Sequence, residues 1–460
     1  VERTGARRAW AAALIGALGL AALMRLACLR TEPWLDEVWS IGLARRAAAA
    51  ADVFFKLHDD NNNPLNTLYL HFVAGSRDWR VYRLLSLSAG LLTVALLGWD
   101  PEDRARGLVA ALLAAVSTHM VLYGTEARGY ALMSLFALSC FRLLRGRAPL
   151  TRPRAASFGL CALLAFLSHP TFVYVYAALF LWAAVKLPAK KRVRGLLSLF
   201  GPPTLAFGLF EAAQFPLGMD GAMRNGFWPT FLRTLELWSG APLRGAAGLA
   251  GAAFVLGLLG WELRHLRRER PDEFVFFAAL FTGAFAFVAI FPFPFERHFY
   301  ACLPFALMLA AGGLTRLFRR GGARRLAAAA LSLLFVLGNG ARVRALASEG
   351  RGHYMEAVER MAADTPAGAI TVASDHDVRN SMMLGFYGAF LTPPRKIEYV
   401  RRDRYGERPD WYLLHSFSPD RPIAPVGVKI DGVANYSLVD VYPYSGLSGW
   451  TWMLYRRDAK

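Results

Sequence analysis

Asp36 and Glu37 close the segment Thr31-Glu32-Pro33-Trp34-Leu35-Asp36-Glu37, directly after the first apolar run of the chain. With Glu32 the segment carries three carboxylates within six residues. Charge beside hydrocarbon is costly, so acids kept there tend to have a reason. Asp36 could act as a general base and Glu37 as a supporting acid, taking a proton from a hydroxyl as a bond forms. The competing reading is a helix start, in which acids before Val38-Trp39-Ser40 complement the dipole. Glu32 reads as a solvated residue at the helix exit.

Three further clusters have chemical potential. His58-Asp59-Asp60-Asn61-Asn62-Asn63-Pro64 is dense in hydrogen-bonding groups. His58, Asp59 and Asn63 could bind hydroxyls, or the carboxylates and amide oxygens a divalent cation, although the spacing is not that of an EF-hand. A polar turn with Asn caps is the alternative. In Tyr123-Gly124-Thr125-Glu126-Ala127-Arg128-Gly129-Tyr130, Glu126 and Arg128 lie two apart and would not face each other on a helix. In a turn both could enter one cleft, where an arginine suits a phosphate; the alternative is a cap on the next helix. Pro292-Phe293-Pro294-Phe295-Glu296-Arg297-His298-Phe299-Tyr300 sets Arg297 and His298 among aromatics, where a lipid-linked anion could enter. Snorkelling in an aromatic belt competes with that reading. The lone His169, before Pro170, reads as structural.

These residues need elements to hold them. The chain has 460 residues, 55% hydrophobic, with a mean hydropathy of +0.30. Apolar stretches of about 15–20 residues recur, which points to many transmembrane helices. Candidate spans are 10–29, 81–98, 107–122, 130–144, 156–168, 171–185, 195–212, 246–262, 273–290, 299–314 and 326–340. Residues 10–29 read as a retained first span rather than a cleaved leader. The net charge of +19 falls in short basic clusters between apolar runs, so it reads as a topology signal and not as nucleic-acid binding. These clusters precede the first span and follow the second, fourth, sixth, eighth and tenth. By the positive-inside rule they are cytoplasmic, which leaves the C-terminal tail outside. The connections 30–80, 123–129, 213–245 and 291–298 then share the outer face with the tail. Residues 64–74 read as a short interfacial or re-entrant helix, and 40–56 as a helix along the same face. Asp100, Glu102 and Asp103 lie on the other side and read as a solvated loop. Cys28, Cys140, Cys161 and Cys302 read as small buried thiols, with no metal-ligand spacing or disulfide framework.

From about residue 341 the chain is less apolar. Helical patterns near 354–363 and 378–388 alternate with strand-like stretches at 369–374, 411–415, 426–430 and 452–455. The expected architecture is an all-α polytopic membrane domain over 1–340, followed by a small α/β extracytoplasmic domain over 341–460.

The acidic pair after the first span, the Pro-containing helix start in the same loop, the Tyr-x-x-Glu-Ala-Arg-x-Tyr turn and the late Arg-aromatic motif together resemble the GT-C superfamily. These are membrane glycosyltransferases that use polyprenyl-phosphate sugars. The resemblance is to bacterial relatives of protein O-mannosyltransferases and of the aminoarabinose transferases that modify lipid A. It covers about residues 10–340 and implies about eleven transmembrane helices with interfacial helices on the outer face. It implies that Asp36 is the catalytic base with Glu37 beside it. Arg128, Arg297 and His298 would hold the donor phosphate, and Glu126, His58, Asp59, Asn63 and Tyr300 would line the substrate. Many relatives have His-Pro-Pro where this chain has Asn62-Asn63-Pro64, so the contact made by that His does not carry over. The implied setting is a bacterial inner membrane, with a polyprenyl-phosphate sugar as donor and a protein, lipid or glycan as acceptor. With a monophosphate leaving group and arginines in place, no metal is chemically required, although a divalent cation is compatible.

A transporter or flippase is the rival from another class. It predicts ionisable residues near mid-membrane, inverted repeats and broken helices. The charges here fall mostly at span ends, and no repeat is evident. A membrane-assembly protein that keeps the fold without chemistry is the third reading, and it predicts that Asp36 is dispensable.

Overall fold

The computed structural model describes residues 2–146, 151–214, 226–240, 246–291, 294–366, 368–417, 425–430, 434–447 and 449–458. Parts of the expected connection 213–245, the basic residue Arg147, and Pro292 and Phe293 lie outside them. The first half runs α1 Glu2–Leu29, α2 Leu35–Arg46, α3 Asp52–Phe55, α4 Pro64–Val73, α5 Trp79–Tyr82, α6 Leu84–Gly98, α7 Arg104–Val116, α8 Thr118–Tyr123, α9 Tyr130–Arg145 and α10 Arg152–Ser168. It continues through α11 Phe172–Lys186, α12 Arg192–Gln214, α13 Phe227–Ser239, α14 Ala246–Glu269, α15 Pro271–Ile290, a 3-10 turn Glu296–Cys302, α16 Leu303–Arg319 and α17 Gly322–Glu349.

A helix falls on each predicted apolar segment. Among the described residues, six helical segments are long and apolar enough to cross a membrane: Arg7–Leu29, Ala189–Ala212, Gly248–Glu269, Pro271–Ile290, Glu296–Arg319 and Gly322–Asp364. Leu84–Gly98 and Phe172–Lys186 are apolar but shorter. Large apolar side chains point outward along these helices, among them Ile15, Leu205, Ile290, Leu326 and Leu334. Water would penalise that surface and hydrocarbon would not, so the chain is an integral membrane protein. Helix α4 has ten residues, about 15 Å, or half a crossing. The single helix expected over 40–56 is two. Helix α2 ends at Ala47, whose backbone turns extended. The Asp52 carboxylate then accepts the Ala48 and Ala49 N–H groups and starts α3.

Helix α17 runs through residue 340 to Glu349, so the change of architecture comes later than the hydropathy change. Beyond it lie α18 Tyr354–Asp364, β1 Ile370–Ser374, α19 Asp377–Gly388, β2 Ile397–Tyr399, β3 Trp411–Ser416, β4 Gly427–Ile430, β5 Ala434–Tyr442 and β6 Thr451–Arg457. The strands form one mixed sheet in the order β2-β1-β3-β6-β5-β4. Strands β2, β1 and β3 are parallel, and β3, β6, β5 and β4 antiparallel. Leu35, Val38, Ile41 and Ala44 of α2 share one buried core with Tyr354, Tyr387, Trp411, Trp450 and Trp452. The helix that carries Asp36 therefore packs directly on the C-terminal sheet unit.

In the Asp100 segment, Glu102 is exposed and Asp103 half-buried, but Asp100 is not solvated. Asp100 is 3% exposed and pairs with Arg106 at 2.5 Å and Arg145 at 3.4 Å. Glu102 pairs with Arg145 and Arg270, and Asp103 with Arg319. Arg145 also reaches Glu273 at 3.0 Å. Side chains from α7, α9, α15 and α16 converge here, and the buried Asp100 carboxylate would be costly to leave without its arginine partners. This network lies past the C-terminal end of α6, and Arg83 lies at its other end. The fifteen residues of α6 separate the two charged regions by about 22 Å.

Candidate active site

Pro33 and the extended Trp34 lead into α2, whose first turn holds Asp36 and Glu37. The two members of that acidic pair sit in different surroundings. Glu37 is the helix-start residue: its Oε2 accepts the Trp34 N–H at 3.2 Å. It is fully buried, and a two-point pair with Arg83 fixes it, with Nε to Oε1 and Nη2 to Oε2 both at 2.7 Å. Its Oε1 also accepts the Ala127 N–H at 2.8 Å, so it grips the Glu126–Arg128 turn by the backbone. Burial alone pushes this carboxyl up, but Arg83 and Arg351 outweigh it and hold it below its ordinary value.

Asp36 faces the other way. Its Oδ2 lies 2.6 Å from Arg128 Nη1 and 2.6 Å from Arg297 Nη1. Among the described contacts its Oδ1 accepts none. Arg128 is 5% exposed and stacks on Tyr130 at 5.5 Å, and among the described residues its buried Nε donates no hydrogen bond. Arg297 stands on the 3-10 turn with its guanidinium 4.6 Å over Phe295 and its side chain 28% exposed. Three separate segments thus bring a carboxylate and two guanidiniums to one point.

Glu126 is buried behind Arg128, with Oε1 3.4 Å from Arg351 Nε. Burial pushes its carboxyl above its ordinary value, with the Arg351 charge opposing. Tyr300 packs against Tyr123 at 4.5 Å and Tyr130 at 5.7 Å, and His169 lies on Tyr130 at 4.2 Å. These rings wall the arginine side of the site. His298 caps its own turn, its Nδ1 accepting the Phe295 N–H at 3.3 Å while its carbonyl accepts the Tyr174 hydroxyl. Among the described contacts it does not reach Asp36.

The amide-rich run is mostly internal scaffolding. Asn61 Nδ2 donates to the Asp36 carbonyl at 2.9 Å and to Ser40 Oγ at 3.0 Å. Asn63 is buried and donates to the Asn61 carbonyl. Asp59 accepts the Trp39 indole N–H at 3.1 Å, and His58 is exposed. Among the described residues no group of three or more His, Cys, Asp or Glu could hold a metal ion. One carboxylate already met by two guanidiniums leaves the spot with excess positive charge, which suits an anion better than a divalent cation.

Two residues of the site escaped the sequence reading. Arg83 carries no motif; it closes a short Trp79–Tyr82 helix and finds Glu37 only in three dimensions. Arg351 comes from beyond α17, and its flanking glycines, Gly350 and Gly352, were the one available signal. Glu32 is also a correction. It is not solvated at the helix exit but accepts the Met355 N–H at 2.8 Å and caps α18.

By sequence, the chain matches no family profile and no curated protein. By structure, it is similar to ArnT from Cupriavidus metallidurans in the apo state, with a TM-score of 0.57 and 12% identity over 98% of both chains. It is also similar to ArnT from the same organism bound to undecaprenyl phosphate, with a TM-score of 0.52 and 12% identity over 96% of this chain and 97% of the other. The chain has the fold of ArnT.

Proposed function

We propose that this protein transfers a sugar from a polyprenyl-phosphate donor to an acceptor on the extracytoplasmic face of a bacterial inner membrane, with inversion. The observation that carries the reading is the Asp36 carboxylate held between Arg128 and Arg297. The ArnT fold, solved elsewhere with undecaprenyl phosphate, supports the class of donor. The reading places about eleven crossings in the membrane, the N-terminus inside, and the sheet unit outside with the Asp36 site.

In this mechanism Asp36 Oδ1 takes the proton of the acceptor hydroxyl. The freed oxygen attacks the anomeric carbon, and the bond from that carbon to the phosphate oxygen breaks. Polyprenyl phosphate leaves with the bonding electrons. Arg128 and Arg297 shift from Asp36 toward the phosphate and stabilise its growing charge; preorganised donors of this kind contribute about 3–4 kcal/mol each. Glu37 and Arg83 hold the loop and take no part in bond making. Purified protein given a panel of polyprenyl-phosphate sugars and simple acceptors tests the reading. Release of polyprenyl phosphate with one donor supports it. Solute flux in liposomes without any lipid-linked sugar would favour a transporter instead.

A further inference from the structure

Arg351 is a charged group that the C-terminal segment sends into the site. It has no exposed surface. Its Nη1 lies 3.6 Å from Glu37 Oε2 and its Nε 3.4 Å from Glu126 Oε1. It also reaches Thr31 Oγ1 at 3.5 Å and the Leu122 carbonyl at 3.3 Å. Among the described contacts it touches neither Asp36 nor Arg128. It sits instead on the neighbours of both, since Glu37 follows Asp36 in sequence and Glu126 lies two before Arg128.

We infer that Arg351 is a positioning residue that ties Glu37 to Glu126, fixes the Asp36–Arg128 pair through them, and makes activity depend on docking of the C-terminal sheet unit. A single guanidinium bridging two buried carboxylates relieves their mutual repulsion and sets their spacing. The α2 start and the 124–129 turn also meet through the Ala127 N–H on the Glu37 carboxylate and through the Asp36–Arg128 pair itself, and Arg351 adds a brace behind both.

The backbone around Arg351 is built for this delivery. Gly350 has φ 60° and Gly352 φ 145°, values that side chains rarely adopt. The Arg351 carbonyl accepts the Tyr354 hydroxyl at 2.5 Å and the Trp450 N–H at 3.2 Å, both from the sheet unit. Gly449 lies so close that a Cβ there would overlap that carbonyl. The same unit holds the Asp36 loop at two more points: Glu32 accepts the Met355 N–H, and the Tyr387 hydroxyl donates to the Pro33 carbonyl.

The inference rests on the proposed transfer reaction for its kinetic test alone. In the full-length protein in detergent, Arg351→Met is expected to lower kcat by about 30-fold with the donor KM within about 3-fold of wild type. Adding Glu126→Gln, which removes the unbalanced carboxylate, is expected to recover about 5-fold of that loss. Arg351→Lys, a point charge that cannot bridge both acids, is expected to fall between. Gly449→Ala, which changes no charge, is expected to reproduce the kcat loss without the Glu126→Gln rescue. Hydrogen exchange supplies the arm that needs no activity: Arg351→Met should speed exchange at 31–37 and 126–128 and leave 100–106 unchanged. Unchanged exchange at both site segments overturns the inference, whatever the kinetics. If wild type transfers no sugar but exchange responds as stated, the functional reading fails and the positioning role stands. Full activity in Arg351→Met, or a loss that Glu126→Gln deepens, also overturns it.

Discussion

Arg297 Nη1 lies 2.6 Å from Asp36 Oδ2 although the residues are 261 positions apart in the chain. The contact joins the loop after the first helix to the turn that opens a late one. It makes the acidic segment part of a charged pair of known partners. The two arginines it brings together differ in environment. Arg128 is enclosed and stacked on Tyr130, whereas Arg297 is partly open to the outside.

Arg128→Met and Arg297→Met should therefore each reduce sugar transfer, by about 100-fold or more where the arginine acts on the leaving phosphate. Arg297→Lys should retain more activity than Arg128→Lys, because the exposed site tolerates a point charge and the enclosed stacked one does not. Steady-state rates of polyprenyl phosphate release check both statements. Equal loss in the two lysine variants would contradict the distinction.

Glu37 and Arg83 are both fully buried, and removing Arg83 takes away the two-point partner of Glu37, leaving it only the Arg351 charge at 3.6 Å. Arg83→Met should cost about 3–5 kcal/mol of stability, read as a large fall in Tm. Arg83→Met with Glu37→Leu should recover much of it. A Tm near wild type in Arg83→Met alone would show that the pair does not hold the loop.

Glu32 carries a pH dependence. Burial pushes its carboxyl from 4.5 to about 7, against the Met355 and Tyr354 N–H groups that favour the charged form. The folded chain thus holds this proton more tightly than the unfolded chain. The stabilisation is complete below the ordinary value and is lost as pH rises through about 7. Glu32→Gln cannot ionise, so the Tm of the variant minus that of wild type should increase from about pH 5 to about pH 8. A constant difference would contradict the assignment.

The network at the far end of α6 supplies a control. Arg145 joins Asp100, Glu102 and Glu273. Arg145→Met should lower stability by about 3 kcal/mol while the folded fraction keeps a kcat/KM within about 3-fold of wild type. A selective loss of turnover at unchanged Tm would mean that the two ends are coupled.

Much of this arrangement was legible in the sequence, because helix length and apolar runs are local properties. The helices at 354–364 and 377–388 and the strands β1, β3, β4 and β6 follow their patterns closely. Strand β2 has only three residues, and β5 mixes Asn435, Ser437 and Asp440 into its alternation, with a bulge between Leu438 and Asp440. Neither leaves a clear period. Asp36, Arg128 and Arg297 were legible because each sits in a motif at a helix end. Arg83 and Arg351 were not, since their meaning lies in partners 46 and 314 residues away. The roles of Glu32 and Asp100 were misread for the same reason. An acid beside a turn looks solvated until the segment that packs over it is known.

The most direct test of the account is polyprenyl phosphate release by wild type and by Asp36→Asn, measured side by side with the lipid-linked sugar that wild type uses. Asp36→Asn keeps the shape of the side chain and removes the proton acceptor. The account predicts release reduced by about 100-fold or more, with Tm and polyprenyl phosphate binding preserved. Release by Asp36→Asn at the wild-type rate would contradict it.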